Sequence, residues 1–148
     1  MHSEKILKQV DKSKIWRAGL LAIALSVVAN LVTFFMLGTL LAFPSPSEFP
    51  PLSAGAIGFM TAVFTFLAVI VFAIVVRLAK NPIRVYWIVA TVAFIVSILP
   101  NIGAALNPES APFPFPVSSA MGYWVLILFH IIAYLITTII LTKRTLAD

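Results

Sequence analysis

"VLILFHIIAYLITTII", Val125–Ile140, contains no Asp, Glu, Lys or Arg, and one imidazole, His130. A run of this kind is suited to hydrocarbon. The surrounding residues extend it from Tyr123 to Leu141, close to the roughly 20 apolar residues that a helix needs to cross a hydrocarbon core about 30 Å thick.

The rest of the chain repeats the pattern. Further apolar runs span residues 18–43, 54–76 and 83–99. The third starts after "KNP", where Pro82 suits a first helical turn because its missing N–H has no partner there, and is expected to stop at Pro100 in "LPN". Of the 148 residues, 61% are hydrophobic and 10% charged, and the mean hydropathy is +1.09. Soluble domains carry roughly 25% charged residues, so the expected fold is all-α, a bundle of four transmembrane helices. The domain plan is a basic segment at 1–17, a membrane domain at 18–142 and a tail at 143–148.

Charge sets the expected topology. All ten Lys and Arg lie in the N-terminal segment, in "RLAKNPIR" or at Lys143 and Arg144, with the acids Glu4, Asp11 and Asp148 on the same side. "PSPSEFPPLS" and "NIGAALNPESAPFPFPVSSA" carry only Glu48 and Glu109. Basic flanks stay cytoplasmic, which predicts both termini and the middle connection inside. The net charge of +5 is therefore read as topology, with no nucleic-acid partner expected. The first run is too long for the roughly 7–15-residue apolar core of a signal peptide and is expected to be retained. The opening "HSEKILKQVDKSKIW" reads either as a basic tail or as a short amphipathic helix on an anionic leaflet.

Small and polar residues at helical spacing predict the faces that meet. Helix one offers Gly19, Ala22, Ser26, Ala29, Asn30 and Thr33. Helix two offers Ala54, Gly58, Ala62 and Thr65, helix three Ala90, Ala93 and Ser97, and helix four His130, Tyr134, Thr137 and Thr138. "PLSAGAIGF" at Pro51 and "PVSSAMGY" at Pro116 echo one another, as parallel hairpin repeats or by chance.

At a rise of 1.5 Å per residue, Asn30, Met60, Thr61 and His130 fall at similar depth, with Ser97 nearer the outer surface. The candidate ligand-binding set is Asn30, Thr61, Ser97, His130 and Tyr134. His130 itself has two readings. It marks a ligand or proton path, or it bonds Asn30 or a backbone carbonyl and holds helices together.

Metal and cofactor sites are not expected. Cysteine is absent, and one deep histidine makes no bis-histidine haem site. A His130–Met60 axial pair matches in depth, but methionine in a bundle is ordinarily packing. No nucleophilic triad, phosphate loop or carboxylate pair is present, so a non-enzymatic protein is expected. Proton pumping is disfavoured because His130 has no charged companion at depth. "APFPFPVSS" reads as a stiff polyproline segment, a lid, a headgroup contact or a docking strand.

Asn30, "NPIR" with "SILP" on helix three, and "FHIIA" on helix four resemble a family of small bacterial four-helix membrane proteins, the domain-of-unknown-function family six-zero-six-nine. The likeness runs from "WRAGL" at Trp16 onward and implies a prokaryotic inner or plasma membrane, with no established activity. Two functions follow from the residues. One is a structural or partner subunit, associating with itself or a larger complex; the other is a binder or carrier of a small lipophilic ligand in an outer-half pocket lined by Asn30 and His130.

Overall fold

The computed structural model describes residues 10–110 and 120–147. Four helices, α1 (Ile15–Leu40), α2 (Ala54–Leu78), α3 (Pro82–Leu106) and α4 (Ala120–Arg144), are joined to short 3-10 turns at Lys12–Lys14 and Pro108–Ser110. All four are long and apolar enough to cross a membrane. Each runs to about 38 Å at 1.5 Å per residue, more than the hydrocarbon thickness, so the helices tilt or carry their tips into the headgroups.

Local chemistry explains where the helices start. Ser53 caps α2, its hydroxyl accepting from the Ala56 N–H at 3.3 Å. Asn81 caps α3, with Pro82 in the first turn. Ahead of α1, the Asp11 carboxylate accepts from the Ser13 N–H at 2.9 Å and hydroxyl at 2.7 Å. Those bonds, led by the hydroxyl, hold the Asp11 carboxyl below its ordinary range.

The bounds of α1, α3 and α4 differ from the sequence expectation by three residues or more. α1 begins at Ile15 and ends at Leu40 rather than Phe43. Beyond it the chain turns extended, and Phe43 folds back to stack on Phe34 with ring centroids 5.7 Å apart. α4 gains a turn at the inner end, reaching Arg144, and starts at Ala120.

The largest correction is in α3, which continues through Pro100 to Leu106. Proline removes one ladder bond, yet side chains supply local bonds around it. Ser97 donates to the Phe94 carbonyl at 2.7 Å, and Asn101 donates to the Ser97 carbonyl at 3.4 Å.

α1 lies between α2 and α4, and α3 lies against α4. Tyr134 of α4 bonds Thr91 of α3 at 2.8 Å and stacks on Phe94 at 4.7 Å. α3 meets α2 where Tyr86 crosses Phe72 edge to face at 4.8 Å. The core is layered along the bundle axis. One apolar cluster, including Ile15, Val69, Phe72, Tyr86 and Leu141, fills the basic end, and another, including Phe49, Leu52, Ile57, Tyr123 and Phe129, fills the opposite end. Between them lies a buried polar belt of Ser26, Asn30, Thr61, Thr65, Thr137 and Thr138.

The outer cluster contains a loop. Phe49 and Leu52, from the proline-rich connection after α1, are fully buried, with Phe49 edge-on to Tyr123 at 5.1 Å. Glu48 accepts from the Ser45 hydroxyl at 2.7 Å and N–H at 2.8 Å, which lowers its pKa and fixes the turn that delivers Phe49. At the other end the chain termini converge. Asp11 N–H donates to the Thr145 carbonyl at 2.8 Å, and Lys14 donates to the Leu146 carbonyl at 3.2 Å.

The predicted interior stripe holds on α1, where Gly19, Ala22, Ser26 and Asn30 are buried. On α3 it holds only for Ala90, which packs on the core, while Ala93 and Ser97 are exposed. Thr91 and Phe94 contact Tyr134 of α4. The echoed glycines also differ in setting: a Cβ on Gly58 would meet only Leu31 at 3.9 Å, whereas one on Gly122 would press on Phe49 at 3.0 Å.

Gly19 sets the spacing of α1 and α2, since a Cβ there would stand 2.7 Å from Val69 Cγ1. Val69 is buried and β-branched, so it yields little. Gly19→Ala is expected to destabilise the bundle by about 1–3 kcal/mol by overfilling, read as a shift in the unfolding midpoint in mixed micelles. An unchanged midpoint would show that the helices separate freely there.

Candidate functional site

The polar belt is built from α1 outward. Ser26, one turn below Asn30, approaches the Thr137 hydroxyl of α4 at 3.3 Å. Asn30 then ties three helices together. Its Nδ2 donates to Thr61 Oγ1 of α2 at 3.0 Å and to the Phe129 carbonyl of α4 at 3.2 Å. With both Nδ2 protons directed to these partners, Oδ1 remains buried without a partner among the described residues. A buried orphan acceptor ordinarily costs about 1–3 kcal/mol, so this atom is a place where a donor would be held.

A cavity of about 200 Å³ opens beside it, lined by Asn30, Thr61, Ile57, Met60, Phe129 and His130. Ala133 and Phe64 complete its α4 and α2 walls. Asn30 stands ten residues from the outer end of α1 and His130 ten residues from the start of α4. Both are therefore about 15 Å from the outer tips. The flanking side chains Met60 and Phe64 are exposed, which places the mouth on the lipid-facing side.

His130 is half-buried at this mouth. Its Nδ1 lies 2.7 Å from the Leu126 carbonyl one turn back on α4. A carbonyl only accepts, so Nδ1 carries the proton and, in the neutral ring, Nε2 is an acceptor. His130 is thus not bonded to Asn30, one of the two structural partners expected for it; its own helix backbone takes that place. The two residues nevertheless share one cavity, and each brings an acceptor.

Of the five sequence-derived candidates, Asn30, Thr61 and His130 come together here. Ser97 and Tyr134 do not. Ser97 is exposed and bonds its own helix, and Tyr134 is committed to Thr91 and Phe94 across the α3–α4 seam. Sequence reasoning missed the Phe129 carbonyl, which no residue pattern announces, and the loop that roofs this end of the bundle. "EFPPL" did carry a signal for the loop: two large apolar residues in an otherwise polar connection. "APFPFPVSS", read as a lid, lies outside the described residues. No group of three metal-ligating side chains occurs among the described residues.

Asn30→Ala is expected to cost about 1–2 kcal/mol in the same unfolding assay, because the Thr61 hydroxyl and Phe129 carbonyl lose their shared donor. Thr61→Val, which leaves the α1–α4 bond intact, is expected to cost less. Equal losses would mean that the Asn30–Phe129 bond contributes nothing.

The described geometry is that of a multi-pass, four-helix membrane protein. No curated protein and no solved structure matches the chain. A family model does, over residues 10–147, covering all four helices and both the polar belt and the basic end. The chain belongs to that family, described as a family of unknown function (DUF6069).

Proposed function

We propose that this protein is a non-enzymatic binder of a small lipophilic molecule that carries a hydrogen-bond donor. The observation that supports it is that Asn30, whose Oδ1 is buried without a partner among the described residues, and His130 line one lipid-facing cavity. At about 200 Å³ the cavity is smaller than the roughly 300–1,000 Å³ that encloses a whole drug-sized ligand. It takes a polar head or ring while the apolar remainder stays in the bilayer between Met60 and Phe64.

A second reading, that of a structural subunit joined to copies of itself or to a larger complex, is favoured by α3. Its small and polar residues Ala93 and Ser97 stand exposed at four-residue spacing. Such spacing lets another membrane helix approach closely.

One experiment separates the two. Native mass spectrometry of the full chain in mild detergent, with equimolar para-octylphenol and its methyl ether, is expected to show the phenol retained about tenfold more, the worth of one hydrogen bond to an otherwise unpaired acceptor. His130→Ala is expected to remove that preference at an unchanged unfolding temperature. Equal retention of phenol and ether would sink the binding reading. A defined oligomer or copurifying protein without adducts would move the assignment to α3.

The basic end is proposed to face the cytoplasm of a prokaryotic inner or plasma membrane, on the charge asymmetry alone. The chain has no cysteine, so a single Ser47→Cys is a clean reporter in intact cells. It is expected to react with a membrane-impermeant maleimide, whereas Ser13→Cys is expected to react only after lysis. The reverse pattern would invert the topology.

A further inference from the structure

A second, larger cavity of about 600 Å³ lies at the opposite end of the bundle from the Asn30 site. Lysines from three separate elements line it: Lys12 from the turn before α1, Lys80 from the α2–α3 connection and Lys143 from the end of α4. Among the described residues no acidic side chain lines the cavity, and the Lys14–Asp11 ion pair, at 3.8 Å, involves none of these three lysines.

The helix ends here nearly cancel one another beside the lysines. The C-termini of α2 and α4 each place about half a negative charge at this end, and the N-termini of α1 and α3, with no acid in either first turn, each return about half a positive one. Three full ammonium charges exceed that remainder. The cavity is therefore positive, and its floor is apolar: Val76, Ile83 and Trp87 line it on the membrane side.

We propose that this cavity is a specific site for the phosphate-bearing headgroup of an anionic phospholipid. The phosphate sits among Lys12, Lys80 and Lys143, and the glycerol and first acyl methylenes rest against Val76 and Trp87. A free phosphate shares the charge recognition but leaves the apolar floor uncovered, which favours the lipid as the source. The site is independent of the Asn30 cavity and of the reading given to it. Basic pockets between membrane helices are a recognised setting for anionic headgroups, and the built element here is the convergence of three lysines from three elements on one amphipathic cavity.

The test uses the full chain in mixed micelles, with native mass spectrometry counting bound phosphatidylglycerol against phosphatidylcholine at equal mole fraction. The wild type is expected to retain phosphatidylglycerol at least about tenfold over phosphatidylcholine, given the roughly tenfold or smaller contribution of each lysine near an anionic surface. Lys12→Gln/Lys80→Gln/Lys143→Gln is expected to lose that preference. Arg17→Gln/Arg77→Gln/Arg144→Gln, which removes the same charge from the same end outside the cavity lining, is expected to keep most of it. Lys80→Glu alone supplies a variant with a single change should the triple one fail to fold, and is expected to lower the preference severalfold. Equal retention of the two lipids by the wild type, or equal loss in the two triple variants, would overturn the site. Displacement of the lipid by millimolar inorganic phosphate would overturn the lipid as the source and leave a free-anion site.

Discussion

Asn30 is the residue on which the arrangement of helices most depends. A single amide at mid-membrane donates to Thr61 of α2 and to the backbone of α4 at Phe129. In hydrocarbon there is no hydrophobic drive between helices, so close packing and polar bonds decide which faces meet. Rotating α1 by one residue would carry Asn30 about 100° away from both partners. The buried small residues below it, Ala22 and Ser26, let α1 approach α4 closely enough for a side-chain amide to reach a main-chain carbonyl. Register of α1, rotation of α4 and depth of α2 are fixed by one group, and the cavity follows as its by-product: the amide oxygen is left over once both amide protons are used.

The two ends of the bundle solve different problems. The proline-rich end has no Lys or Arg and is covered by a loop, with Phe49 and Leu52 buried between helix ends and Gly122 giving Phe49 room. At the basic end the segments flanking α1 and α4 join through Asp11 and Thr145, and three lysines line a cavity. Sealing that end with apolar side chains would bury ammonium groups at a cost of several kcal/mol each, so an open, hydrated cavity is what this composition permits.

Hydropathy made the four helices and the buried face of α1 legible in the sequence, because the solvent imposes them residue by residue. Asn30, Thr61 and His130 were legible as a layer for the same reason: polar groups at equal depth in lipid are few. The errors share a cause. Pro100 and two of the small residues of α3 were read by rules that assume local chemistry decides, whereas the helix continues through the proline to Leu106 and Thr91 and Phe94 hold the seam. Phe129 contributes through its backbone, and Phe49 through a contact seventy-odd residues away in sequence; neither leaves a local pattern.

His130 illustrates how depth and partner separate in meaning. An imidazole at this level was open to either a structural or a functional role, and its bond to Leu126 is structural in form, closing on its own helix turn. That bond leaves α4 attached to α1 through Asn30 and Phe129 instead, so the ring is not needed as interhelical glue. What the Leu126 carbonyl does is fix the tautomer, turning Nε2 into an acceptor at the cavity mouth. A leucine there would pack against lipid at lower cost. A ring whose proton is already committed, on the same cavity as a residue whose amide oxygen has no partner among the described residues, is the ground on which a donor-bearing ligand is proposed there.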